Sequence, residues 1–246
     1  MEPLRIHLCG RLVVRVGDRR VEDALPGRQG RQLFAYLLLN RLRPLSRDQL
    51  VDALWPQGAP AAADTALSAL LSKLRRLFGP SCLEGRSEVR LSLPEGSWVD
   101  VEAASDALHR AEGAAARGDW AAVWGPARVV QHVCGRPFLA GEDVDWVEEA
   151  RRKLGDAYLR SLELVAEACL HLGSSELATA ERAARTLVRT APLRESGHRT
   201  LMRVLAARDD RAGALLVYDE LRALLRDELG VAPSASTQAF HRGLLE

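Results

Sequence analysis

From Leu4 to Leu8 the apolar residues Leu4, Ile6 and Leu8 alternate with Arg5 and His7, and this period of two predicts a half-buried strand. Val14 and Val16 extend the alternation into the turn dipeptide Gly17-Asp18, from which Arg19 to Val21 returns as a third short strand. These segments predict a small antiparallel meander. The period then changes: over residues 28–41, Leu33, Phe34, Leu37 and Leu38 recur as the buried stripe of a helix, which Pro44 ends. Ser46 offers an N-cap oxygen to a short second helix carrying Leu50, Val51, Leu54 and Trp55, closed by Pro56 and Gly58. A third helix, from near Ala61 to Phe78, places Leu67, Leu70, Leu71, Leu74, Leu77 and Phe78 on one face before Gly79-Pro80 stops it. Cys82 to Glu84 and Val89 to Leu93 then predict a hairpin around Gly85-Arg86-Ser87, with Val89, Leu91 and Leu93 inward and Arg90 and Ser92 outward.

Beyond Asp100 strand signals fade, and breaks at Gly118, Gly135-Arg136-Pro137, Gly173, Pro192, Gly230 and Pro233 delimit helix-sized segments. Small residues recur where antiparallel helices pack closely, as Ala180, Ala183 and Ala184, then Ala206, Ala212 and Ala214. The larger Leu201, Leu205, Leu215, Tyr218 and Leu221 fill between them. This predicts weak helix-pair repeats, although periodicity alone also fits a plain helical bundle. The expected fold is mainly α, with an α+β domain at residues 1–97 and an all-α, tetratricopeptide-like domain at residues 98–246.

Charge sharpens that division. Residues 1–97 hold 15 Lys and Arg against 10 Asp and Glu, net +5, whereas residues 98–246 are net −4. The basic part is the better binder of a polyanion. Opposite the leucine stripe of the third helix fall Thr65, Ala69, Ser72, Lys73 and Arg76, flanked by Ser68 and Arg75. Small side chains allow a helix close to base edges, while hydroxyls and long cations reach bases and phosphates. A solvated helix face can use the same residues, so the neighbouring elements must decide. The predicted DNA-contacting set is Arg47, Thr65, Ser68, Ser72, Lys73, Arg75, Arg76, Arg86 and Arg90.

Other chemistry is sparse. Cys9, Cys82, Cys134 and Cys169 form no CxxC pair, which fits neither a disulfide framework nor a zinc site. His7, His109, His132, His171, His198 and His241 show no metal-ligand spacing, and HExxH and GxSxG do not occur. The acidic run Glu142, Asp143, Asp145, Glu148 and Glu149 is read as structural, with Asp145 capping a helix and the glutamates complementing its dipole. No signal peptide or apolar run of roughly 18 residues is found, so a cytoplasmic, non-enzymatic protein without cofactor or membrane contact is expected.

The order of small sheet, three helices and hairpin resembles the winged helix-turn-helix of the response-regulator type, carried by LSRDQLVDALWP and DTALSALLSKLRRLFG. FLAGEDVDWVEEARRKL, APLRESGHRTLM and ALLVYDELRALLRDELGVAPS resemble the bacterial transcriptional activator domain that follows such a winged helix in Streptomyces antibiotic regulatory proteins. The resemblance implies an activator that binds tandem direct repeats of double-stranded DNA near a promoter, self-associates there and recruits RNA polymerase. Two departures stand out: Glu88 and Val89 replace a glycine and an aromatic residue of the wing, and Arg208-Asp209-Asp210 replaces a glycine-containing turn. No phosphate loop GxxxxGK[ST] occurs and no receiver module precedes the winged helix, so neither an ATP nor a phosphorylation switch is expected in these residues. The competing reading is a helical protein-interaction scaffold with a degenerate winged helix.

Overall fold

The computed structural model describes residues 2–246. They form two compact units: residues 2–103 with Arg136–Leu154, and Ala104–Gly135 with Gly155–Glu246.

In the first unit the predicted meander is present. Strands β1 (Leu4–His7) and β2 (Val13–Val16) pair antiparallel with Leu4 opposite Val16, and β3 (Arg19–Arg20) follows the Gly17-Asp18 turn. Helices α1 (Gly27–Leu39), α2 (Arg47–Leu54) and α3 (Ala63–Phe78) come next. Leu33, Phe34, Leu37 and Leu38 of α1 are buried, and Phe34 stacks on Phe78 of α3 with ring centroids 4.9 Å apart. Ser46 caps α2 as predicted. Its hydroxyl accepts from the Gln49 amide at 3.2 Å while Gln49 Oε1 accepts from the Ser46 amide at 3.0 Å, so two otherwise unpaired donors are satisfied reciprocally.

Two strands had no sequence signal, because each is only two residues long and no hairpin turn joins it to its partner. Strand β4 (Leu45–Ser46) adds to the later hairpin, and β7 (Trp98–Val99) lies parallel to β1, giving the order β3-β2-β1-β7. Just after β7, the fully buried Asp100 carboxylate accepts from the amides of Leu8 and Cys9 at 2.9 Å and of Val101 at 2.8 Å. Three backbone donors offset the cost of burying that charge.

The same unit takes in residues 136–154, which the sequence reading assigned to the helical part. Gly10 N donates to Pro137 O at 2.8 Å and Leu139 N to Leu8 O at 3.0 Å. Glu142, also buried, accepts from Arg28 Nε and Gln32 Nε2, each at 2.7 Å. Trp146 meets the Tyr36 ring edge-on and donates its indole N–H to Ala53 O at 3.1 Å. The acidic run is therefore structural around Glu142, through an ion pair with α1 that helix capping did not anticipate. Asp145 is itself the first residue of its helix.

The second unit is helical throughout. Helices α4 (Asp100–Ala116) and α6 (Asp145–Leu172) each contribute residues to both units; α5 (Trp120–Cys134), α7 (Leu177–Thr190), α8 (Glu195–Ala207), α9 (Arg211–Leu229) and α10 (Ala235–Leu245) lie wholly in the second. Every predicted break falls between helices. Ala180, Ala183 and Ala184 are buried with Leu201, Leu205 and Tyr218 in one core, and Leu221 is also buried. A side chain at Gly197 would place Cβ 3.0 Å from Leu187 Cγ, so glycine sets how closely α8 approaches α7. Ala212 departs from expectation: it is solvent-exposed, and only Ala214 of that helix is a fully buried small residue.

Candidate nucleic-acid interface

Helix α3 divides cleanly by burial. Ala63, Leu67, Leu70, Leu71, Leu74 and Phe78 face the core, while Thr65, Ser68, Ala69, Ser72, Lys73 and Arg76 are exposed. Leu77, predicted on the apolar face, is half-buried at its margin. The exposed face therefore carries hydroxyls and a methyl group toward the N-terminus and cations toward the C-terminus, where they also favour the helix dipole.

Two arginines of the predicted set are held by the protein itself. Arg47, at the start of α2, donates to Ser68 Oγ at 2.8 Å, to Asp64 O at 3.0 Å and to Asp64 Oδ1 at 3.2 Å. It ties the first turn of α2 to the first two turns of α3 and occupies the Ser68 hydroxyl. Arg75 reaches the other way, donating from Nε to Leu83 O at 3.1 Å and from Nη2 to Gly85 O at 2.7 Å. These lie on the first strand and in the turn of the hairpin, so Arg75 fixes the wing against α3. The structure thus gives Arg47 and Arg75 positioning contacts. No linear signal reveals them, because the partners stand 8 to 21 positions away.

The wing consists of β5 (Leu83–Glu84) and β6 (Glu88–Leu91), paired with Leu83 opposite Leu91 and Glu84 opposite Arg90, while β4 lies on the outer side of β6 with Leu45 opposite Val89. Val89, one of the departures from relatives, is fully buried in this pairing, so the hairpin forms without the aromatic residue. Leu93 lies beyond β6 and is only half-buried. Gly85 turns the chain at φ +87°; a Cβ there would lie 1.8 Å from Glu88 O, so no other residue fits this turn unchanged. Arg86 at the tip and Arg90 on the outward face of β6 are both exposed.

Lys73, Arg76, Arg86 and Arg90 share one electrostatic property: none has a carboxylate within 4 Å among the described residues. Elsewhere arginines are commonly neutralised, as in Arg41 with Glu102 at 2.6 Å and Arg203 with Glu167 at 2.7 Å. Unpaired cations beside a small-residue helix face keep their full field for an incoming polyanion. The described residues contain no group of His, Cys, Asp and Glu arranged to hold a metal ion, and all four cysteines are buried.

Comparison with known proteins identifies the family. The family described as the bacterial transcriptional activator domain matches residues 99–245. The chain belongs to that family. The family match begins inside β7, whereas packing assigns residues 136–154 to the first unit. Members similar to the chain include the regulatory protein AfsR of Streptomyces coelicolor, 34% identical over 89% of this chain and 22% of AfsR. The transcriptional regulatory protein EmbR of Mycobacterium tuberculosis is 26% identical over 98% of this chain and 63% of EmbR. The chain thus spans under a quarter of AfsR and less than two thirds of EmbR. In structure it superposes on M. tuberculosis EmbR, solved in complex with a low-affinity phosphopeptide, with a TM-score of 0.87 and 23% identity, covering all of this chain and 65% of that one. The mainly α fold, with a few strands toward the N-terminus and a helical domain of this family after them, and the likeness to Streptomyces antibiotic regulatory proteins are thereby established. No helix among the described residues is long and apolar enough to cross a membrane.

Proposed function

We propose that this chain is a sequence-specific DNA-binding transcriptional activator. In this reading α3 enters the major groove, with Thr65, Ser72, Lys73 and Arg76 toward base edges, while Arg86 and Arg90 of the wing contact phosphate or the minor groove. Arg47, Ser68 and Arg75 hold α3 and the wing in the geometry those contacts need. The carrying observation is the exposed α3 face, on which Lys73 and Arg76 stand without carboxylate partners next to the small residues Ala69 and Ser72. Membership of a transcriptional activator family supports the reading. So does the winged-helix order of elements.

The finer proposal is that the protein occupies tandem direct repeats near a promoter, that the helical unit mediates self-association there, and that it recruits RNA polymerase. The protein acts in the cytoplasm without catalytic chemistry. Fluorescence anisotropy on a duplex selected from random sequence, with an unrelated duplex as control, tests the first step. Specific affinity should fall steeply with salt, by about 0.9 log unit per log unit of salt for each neutralised phosphate. Salt-insensitive binding, or no preference for the selected duplex, would sink the proposal in favour of a protein-binding scaffold.

A further inference from the structure

The helical unit contains two cavities of similar size and opposite electrostatic design. One, of about 340 Å³, is lined by Arg160, Arg199 and Arg203 together with Glu163 and Glu167. Its cations are largely neutralised: Arg160 pairs with Glu112 at 3.0 Å and Glu163 at 3.3 Å, and Arg203 with Glu167 at 2.7 Å. The other, of about 350 Å³, lies among α5, α6 and α7, and no carboxylate lines it. Trp124, Arg128, Gln131, Tyr158, Thr179 and Arg182 form its polar wall. Leu162 and Val165 supply apolar surface.

Donors outnumber acceptors in this second cavity. Neither Arg128 nor Arg182 has a carboxylate within 4 Å among the described residues; their partners are the neutral Gln131 Oε1 at 2.7 Å and Thr179 Oγ1 at 2.9 Å. A guanidinium can only donate, so Arg128 fixes the Gln131 oxygen toward itself. The Gln131 amide nitrogen is then left buried with no acceptor. An orphaned buried donor beside two unneutralised cations is a site in want of an anion. Trp124 adds the second requirement. It is 42% exposed, an unusual state for so large an apolar side chain, and Arg128 sits 5.9 Å from its ring centroid, leaving an aromatic surface next to the charge.

We propose that this cavity binds a small organic anion with a planar ring, its carboxylate or phosphate held by Arg128, Arg182 and the Gln131 amide and its ring laid against Trp124. The volume is at the lower end of small-molecule sites, which suits a single ring system and excludes an extended polymer. The site is separate from the DNA-facing residues and stands whether or not those read DNA.

The test is isothermal titration calorimetry on the full chain with four probes: AMP, indole-3-acetate, inorganic phosphate and adenosine. One or both of the ring-bearing anions should bind saturably with one-to-one stoichiometry, at least about tenfold tighter than phosphate or adenosine. Binding of AMP alone identifies a phosphate ligand, and of indole-3-acetate alone a carboxylate ligand. Arg182→Gln and Arg128→Gln, both at exposed positions and checked for folding by circular dichroism, should each weaken that binding about tenfold or more. Trp124→Leu should remove the advantage over inorganic phosphate. The proposal is overturned if neither ring-bearing anion saturates, if the arginine variants bind as the parent does, or if inorganic phosphate binds as tightly as the ring-bearing anion that saturates.

Discussion

In the proposed DNA complex Lys73 is the first residue to test for base recognition, because it is the sole lysine of α3 and lies on the exposed face between Ser72 and Arg76. Lys73→Ala should cost about 1–3 kcal/mol of specific affinity and relax preference at one or two positions of the binding sequence. Anisotropy on the selected duplex and its single-base variants measures both, and unchanged specificity would remove Lys73 from the reading face. Asp209 poses a separate question of backbone strain. It holds φ +61°, the left-handed region, in the turn between α8 and α9, while its neighbour Asp210 caps α9 by accepting from Gly213 N at 2.8 Å. Asp209→Gly should therefore raise stability by about 0.5 kcal/mol, the relief of left-handed crowding exceeding the entropy glycine adds to the unfolded chain. Asp209→Val should lower it by about 1 kcal/mol. Denaturant midpoints would check the pair, and the opposite order would show that the turn relaxes instead.

Among the elements, the wing depends on α3 through Arg75. If Arg75 acts by holding Leu83 O and Gly85 O, then Arg75→Ala weakens DNA binding by letting the wing move, and its effect overlaps with loss of the wing contact itself. Arg86→Ala should weaken selected and unrelated duplexes alike and reduce the salt slope by roughly one. The double variant should then lose clearly less than the sum of the single losses. Strict additivity would show instead that Arg75 makes an independent DNA contact. The helical unit has its own junction between elements. Glu195, first residue of α8, accepts from the Ser234 hydroxyl and the Thr237 hydroxyl, both at 2.6 Å, and from the Ser234 amide at 2.9 Å, closing the N-terminus of α10. Burial raises the Glu195 pKa, but the Ser234 and Thr237 hydrogen bonds and the charge of Arg199 outweigh it and hold the carboxyl below its ordinary range. A carboxyl with a lowered folded-state pKa contributes stability that is complete above its unfolded value, near 4.3, and is lost as pH falls through the folded value. Thermal stability should thus decline as pH drops below about 4.5, and Glu195→Gln should flatten that decline while costing about 1–2 kcal/mol at neutral pH. An identical acid profile in the variant would assign the pH dependence to other groups.

At the level of the whole molecule, the structural unit and the sequence boundary differ, and this bears on any attempt to separate DNA binding from activation. A fragment ending at Ser97 keeps the three helices and the wing but loses β7, Asp100, Glu142 and Trp146. The buried amides of Leu8 and Cys9 would have no acceptor, at about 1–3 kcal/mol each. Such a fragment should melt far below the full chain, whereas residues 1–154 retain every residue of the first unit and should melt cooperatively close to it. Similar melting of the two fragments would show that residues 98–154 add nothing to that unit. The longer fragment is then the proper reagent for the proposed division of labour. At equal measured occupancy of a target promoter it should fail to activate transcription in vitro where the full chain succeeds, and equal transcript yield would place activation outside residues 155–246.

What the sequence by itself determined was everything governed by local periodicity and local chemistry. The period-two run at Leu4–Leu8, the stripes of α1 and α3, the Ser46 cap, the Gly85 turn and the helix breaks after Asp100 depend on residues at most a few positions apart. The exposed face of α3 was legible for the same reason, since the residues opposite a strict leucine stripe must face away from the core. Tertiary structure alone decided the contacts between distant segments. Two-residue strands such as β4 and β7 have no period to detect, and the pairing of Asp100 with Leu8 or of Glu142 with Arg28 joins positions 92 and 114 apart. It also decided which arginines stay available. Arg47 and Arg75 look no different in sequence from Lys73 and Arg76, and only the arrangement of Asp64, Ser68 and the wing carbonyls around them turns the first two inward and leaves the others to face solvent.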